Sequence, residues 1–181
     1  MKTKLNYLFL VTICIFLTGC ATYIKPEKFD IDPQLLKSFK GNEPIQVLVP
    51  ENADSKFSVE NAGGFMSGDF TEVYVDLNDL YRNTKELINE VLAKHHVPLS
   101  PNANKYLKFT ITMVQWDKWA YGPMRDAYLE FDIETGDAYK KHYRVQDQSF
   151  GDVGRAVGGT TSRAVEQIFQ DEKIISYIES Q

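Results

Sequence analysis

The stretch Ala127-Tyr128-Leu129-Glu130-Phe131-Asp132-Ile133-Glu134-Thr135-Gly136-Asp137-Ala138-Tyr139 decides the fold of this chain. Ala127, Leu129, Phe131 and Ile133 alternate with Tyr128, Glu130, Asp132 and Glu134, the two-residue period of a strand with one apolar and one acidic face. Thr135-Gly136-Asp137 supplies turn residues, and Ala138 to Val145 returns as the second strand of a hairpin. Upstream, Lys105 to Met113 repeats the alternation, with Leu107, Phe109, Ile111 and Met113 on one face and Lys108, Thr110 and Thr112 on the other. The phase then slips to Val114 and Trp116, as a bulge or the start of a turn would require. Three consecutive antiparallel strands form a meander whose single apolar face needs a cover.

Two segments supply it. Leu77, Leu80, Thr84, Leu87, Ile88, Val91 and Leu92 recur at the three-and-four spacing of one helix face, with Asp76 or Asn78 as cap and His95-His96-Val97-Pro98 as the stop. Val157, Ala164, Val165, Ile168 and Phe169 mark a final helix, followed by a second stretch with Ile174, Ile175 and Ile178. Gly158-Gly159 is expected to break or delay its start. Ile45 to Val49 reads as a first strand, Glu51 to Asp69 as a long loop, and Glu72 to Val75 as a short strand. The order predicts an α+β fold: a mainly antiparallel sheet with a three-strand meander, packed against two main helices on one face.

The other end of the chain carries an address. Lys2 and Lys4 precede an apolar run from Leu5 to Leu17, the length of a signal-peptide core and too short to span a bilayer. Leu17-Thr18-Gly19-Cys20 resembles the bacterial lipobox. That resemblance implies cleavage between Gly19 and Cys20 and a diacylglyceryl thioether on Cys20. Residues 1–19 are then a lipoprotein signal peptide, 20–43 a lipidated N-terminus and tether, and 44–181 a single α+β domain. Pro26, Pro33 and Gly41 suit the tether, whose Pro33 to Phe39 piece is compatible with a short docking helix. Ala21 after the anchor, rather than an aspartate, resembles lipoproteins sent to the outer membrane, which implies its periplasmic face in a two-membrane bacterium.

Charge and thiols narrow the function. The chain has 20 basic and 25 acidic residues, and loss of Lys2 and Lys4 with the signal leaves 18 against 25, a net charge of −7. That argues against nucleic acid, whose phosphates need a basic footprint, and assigns membrane attachment to acyl chains at Cys20. Cys14 leaves with the signal, so the mature domain has no thiol beyond Cys20, and cysteine catalysis, zinc–thiolate sites and iron–sulfur clusters are excluded.

The remaining candidates read as structural. His95 and His96 sit at a helix end outside any HExxH pattern, His142 stands alone, and no metal or other cofactor is expected. No G-x-S-x-G occurs. Glu130, Asp132 and Glu134 share a strand face where a carboxylate pair is conceivable, yet solvated edge protection is the commoner use. Gly151 to Gly159 lacks the Walker lysine and reads as a flexible hinge. The sharpest local feature is Trp116 to Tyr128, which gathers Trp116, Trp119, Tyr121, Met124 and Tyr128 around one loop. These side chains form either cross-strand pairs or a recognition surface.

The order of elements is itself similar to small bacterial lipoproteins of the YajG and ABC-transport-auxiliary type. The matching segments are the helix Leu77 to Lys94 with its proline turn, the strand Tyr106 to Trp116, the hairpin Leu129 to Tyr139 and the helix Thr161 to Phe169. The resemblance implies a non-catalytic envelope component. The sequence therefore predicts a lipid-anchored protein that is not an enzyme and meets another envelope protein or a cell-wall component. The alternative is a peptidoglycan- or glycan-binding module using the Trp116 to Tyr128 loop.

Overall fold

A computed structural model describes residues 22–51, 57–58, 73–118, 124–150 and 152–180. The strands are β1 (Thr22–Ile24), β2 (Ile45–Leu48), β3 (Phe57–Ser58), β4 (Val73–Val75), β5 (Lys105–Lys118), β6 (Met124–Thr135) and β7 (Lys140–Phe150). The helices are α1 (Leu77–Lys94), α2 (Val153–Ile168) and α3 (Glu172–Glu179). The main sheet has the order β2-β5-β6-β7, with β2 parallel to β5 and the other pairs antiparallel. The fold is α+β, with a mainly antiparallel sheet containing the three-strand meander and the main helices on one face. A smaller sheet, β1-β4-β3, stands apart; its middle strand is Val73–Val75, within the short strand expected there. Most of the long loop expected between Glu51 and Asp69 lies outside the described residues.

The alternation of the deciding stretch is physical. Ala127, Leu129, Phe131 and Ile133 are all buried under the helices, and Phe131 sits between Phe109 and Tyr143, with ring centroids 4.9 and 5.2 Å away. The phase slip in β5 is a bulge: Ile111 pairs with Phe131 but Met113 pairs with Glu130, leaving Thr112 as the extra residue. Beside it, the Ile111 N–H donates to the Tyr81 hydroxyl of α1 at 3.0 Å, so the helix satisfies a buried backbone group. Asp76 caps α1 by accepting from the N–H groups of Asn78 and Asp79. At the other end His96 takes a left-handed backbone, φ 58°, and the bonds from His96 to Ala93 and from Val97 to Leu92 close the last turn as a Schellman motif.

Two expectations change. Gly158-Gly159 neither breaks nor delays α2, and the expected hinge is helix from Val153 on, Gly151 lying outside the described residues: both glycines are buried in the middle of a helix capped by Asp152. The reason is close approach. A methyl at Gly158 would overlap the Glu27 carbonyl, and one at Gly154 would fall 2.8 Å from the Lys25 carbonyl oxygen. The return strand also runs past Val145 to Phe150. Within Pro33 to Phe39 the short helix expected is the 3-10 helix Pro33–Leu35, capped by Asp32.

The stretch 22–43 forms a strap against the domain. It climbs α2 in register: the Glu27 N–H donates to Gly154, the Ser162 hydroxyl to the Phe29 carbonyl, and the Gln170 amide to the Leu35 carbonyl. Lys28 pairs with Glu86 and Glu90 of α1 at 3.1 and 2.6 Å. Ile31 and Phe39 are buried in the same core as the sheet. Phe39 lies in a stack, 4.0 Å from the His95 ring and 5.3 Å from Phe169.

Candidate functional site

The sheet's pleat divides the aromatic cluster that the sequence brings together. Trp116 pairs in register with Ala127 and Gln115 with Tyr128, and neighbouring register positions point to opposite faces. Trp116 is therefore core, 2% exposed, whereas Tyr128 lies on the open face beneath the Arg144 guanidinium, 5.0 Å from the ring. Met124 begins β6 opposite Phe150. Trp119 and Tyr121 lie outside the described residues, as do Gly19 and Cys20. Phe150, which the sequence reading passes over, is 72% exposed, the most open of the large apolar side chains among the described residues. Its signal was the continuation of β7 beyond Val145, hidden by the polar run Gln146 to Ser149.

The open face of the sheet is a lattice of ion pairs. Lys140 and His142 contact Asp132 at 2.9 Å each, Arg144 contacts Glu130 at 3.2 Å, and Lys108 approaches Glu134 at 3.9 Å. Hydrogen bonds from Lys140, then His142, hold the Asp132 carboxyl below its usual range against a small opposing effect of burial. A general acid for glycoside hydrolysis needs the opposite shift. The chemistry of Glu130, Asp132 and Glu134 is that of a solvated, charge-matched sheet face. His95 Nδ1 lies 3.2 Å from the Phe39 carbonyl, so this ring closes the strap on the helix end. Among the described residues no group of three or more His, Cys, Asp or Glu is arranged to hold a metal ion.

A second cluster was not legible. Asp171 Oδ1 caps α3 by accepting from the Lys173 and Ile174 N–H groups, while Oδ2 accepts from Lys141 and Tyr143, both at 2.6 Å, and from Tyr139 at 3.1 Å. Burial pushes this carboxyl up, but the Lys141 and Tyr143 bonds, with the backbone and Tyr139, outweigh it and hold it well below the carboxylate range. Tyr143 is pushed well above its ordinary value, first by burial and then by Asp171. A carboxylate held down beside a phenol held up exchanges no proton near neutrality, so the cluster clamps β7 to α3.

One open cleft of about 490 Å³ lies between the strap, the end of β7 and α2. Phe29, Leu35 and Phe150 give it apolar rims, and its cations are engaged. Arg163 pairs with Glu166 at 3.0 Å and Asp147 at 3.7 Å, and Arg155 pairs with Glu27 at 3.5 Å and lies over the Phe29 ring. Among the described residues this lining offers paired charge and aromatic edges and no convergent catalytic set.

No family model matches the chain, and no curated protein matches it in sequence. Its fold is similar to that of protein XCC0632 from Xanthomonas campestris, described by the family model DUF330, with 13% identity, TM-score 0.50, and coverage of 87% of this chain and 95% of that one. A hypothetical protein from Chlamydia trachomatis, CT253, superposes with 11% identity and TM-score 0.44 over 77% of this chain and 98% of its own. The PelC dodecamer from Paraburkholderia phytofirmans gives 10% identity and TM-score 0.35 over 86% and 97%.

Proposed function

We propose that this chain is a lipid-anchored, non-catalytic envelope lipoprotein acting as an interaction or accessory component, held by acyl chains on Cys20 at the periplasmic face of the outer membrane of a two-membrane bacterium. The observation that carries the reading is Leu17-Thr18-Gly19-Cys20 behind a charged start and a short apolar run. The side-chain chemistry supports it: Asp132 and Glu130 are spent on ion pairs with Lys140 and Arg144, the His142 ring lies in hydrogen-bond contact with Asp132, and Asp171 and Tyr143 form a clamp. The glycan-binding alternative would have to work without Trp116, which lies in the core.

The test compares cells carrying the wild-type chain with cells carrying Cys20→Ser. The wild type is expected to incorporate labelled fatty acid and the variant, which lacks the thiol that carries the thioether, to incorporate none; equal incorporation by both, or none by the wild type, would overturn the reading. Cross-linking in intact cells then identifies the partner, and capture of cell-wall glycan alone would favour the alternative.

A further inference from the structure

The proposed anchor at Cys20 is separated by Ala21 alone from Thr22, which already pairs with Val73 in the smaller sheet. Two residues of fully extended chain span about 7 Å, and the head-group region of one leaflet is about 5 to 7 Å thick. With Thr22 already in a sheet, the proposed anchor leaves no spacer to hold this end of the domain off the membrane. Beyond β1 the chain does not swing free, because the strap follows α2 from its first turn upward: Lys25 beside Gly154, Glu27 beside Gly158, Phe29 at Ser162, Leu35 at Gln170. The end of α2 that lies beside the start of the strap is therefore its N-terminal end.

The same end carries the exposed aromatic. Ile24 lies against Gly154 in the first turn of α2, and Phe150 stands two residues before the Asp152 cap, opposite Met124 at the start of β6. The opposite end of the sheet, where β7 starts and β5 begins, is about 33 Å away along β7. Resting on the lipid-anchor reading, we propose that this end of the domain sits against the lipid head groups and that Phe150 inserts into the bilayer interface. Acyl chains on Cys20 bring Phe150 to the membrane, and an aromatic ring at head-group depth adds apolar contact without needing basic residues. The acidic mature chain fits this division, since it offers no electrostatic route to the surface. Phe150 is then a membrane-contact residue that also fixes the tilt of the domain and presents the charged open sheet face sideways.

The experiment uses the acylated full-length product in phosphatidylethanolamine and phosphatidylglycerol vesicles. With Cys20 consumed by lipid and Cys14 removed, an introduced cysteine is the single free thiol of the mature chain. Phe150→Cys and, at the far end before β5, Asn104→Cys are each labelled with a nitroxide. The label at 150 is expected to be more accessible to oxygen than to a water-soluble nickel complex, and the label at 104 to show the reverse. If both read as aqueous while the protein stays on the vesicles, the inference is overturned and the anchor stands. Shielding of position 150 from both reagents means a protein covers it, and also overturns the inference. Failure of the protein to associate with vesicles removes the anchor reading and this inference together.

Discussion

The phenol of Tyr143 donates a 2.6 Å hydrogen bond to Oδ2 of Asp171, tying the middle of β7 to the first turn of α3. The carboxylate is 6% exposed and also receives Lys141 and Tyr139, so one buried charge organises three side chains of the hairpin and one helix cap. Removing the Asp171 carboxylate leaves the buried Tyr143 hydroxyl and the helix cap without their partner, which costs more than the net worth of one exposed bond.

Asp171→Asn is expected to destabilise the domain by about 3 kcal/mol at neutral pH in urea unfolding. The pH dependence has a definite sign. The folded carboxyl is held below its unfolded value, so its contribution is fully present above about pH 4 and fades as pH falls towards the depressed folded value. The gap between wild type and variant should therefore narrow at pH 2 to 3, roughly one unit or more below that unfolded value. An equal gap at both pH values would show that the carboxylate charge is not what holds the clamp.

Gly158→Ala reverses the usual rule for helices. In an isolated helix alanine is better by about 1 kcal/mol, but here the added methyl meets the Glu27 carbonyl. The variant should unfold at a lower temperature and become sensitive to trypsin after Lys28, because the strap must lift. A more stable, trypsin-resistant variant would mean that the strap does not bear on α2.

The two aromatics that the pleat separates should behave differently. Trp116→Ala opens a hole in the core and is expected to cost about 3 to 5 kcal/mol, whereas Tyr128→Ala loses its contact with Arg144 and costs about 1 kcal/mol or less. Paired denaturation curves measure both. Equal, small effects would place Trp116 on the surface.

Ala138 holds a left-handed backbone, φ 68°, in the turn between β6 and β7. Ala138→Gly relieves a strain of about 1 kcal/mol, partly offset by the freedom glycine gains in the unfolded chain. A small rise in the unfolding midpoint is the expected outcome, and a fall would contradict it.

What the sequence made legible is what one buried face imposes. Leu107, Phe109, Leu129, Phe131 and Ile133 alternate because each must reach the core, and the stripe on α1 repeats because a single side of it packs. Contacts between distant segments were not legible. The parallel pairing of β1 with β4 joins segments some fifty residues apart, and the isolated Ile31 and Phe39 show no period, so the strap resembled a linker. Gly158 and Gly159 looked like helix breakers because propensity sees only the helix, whereas their need arises from the strap and from Asp147. The Asp171 cluster escaped for the same reason, its partners Tyr139, Lys141 and Tyr143 lying on another element.

Intact-mass analysis of the protein purified from its membrane fraction tests the proposed modification of Cys20 directly. The predicted result is a chain that begins at Cys20 and carries the added mass of a diacylglyceryl group, with or without a further acyl chain on the amine. A chain that retains residues 1–19, or that begins elsewhere with an unmodified Cys20, would contradict it.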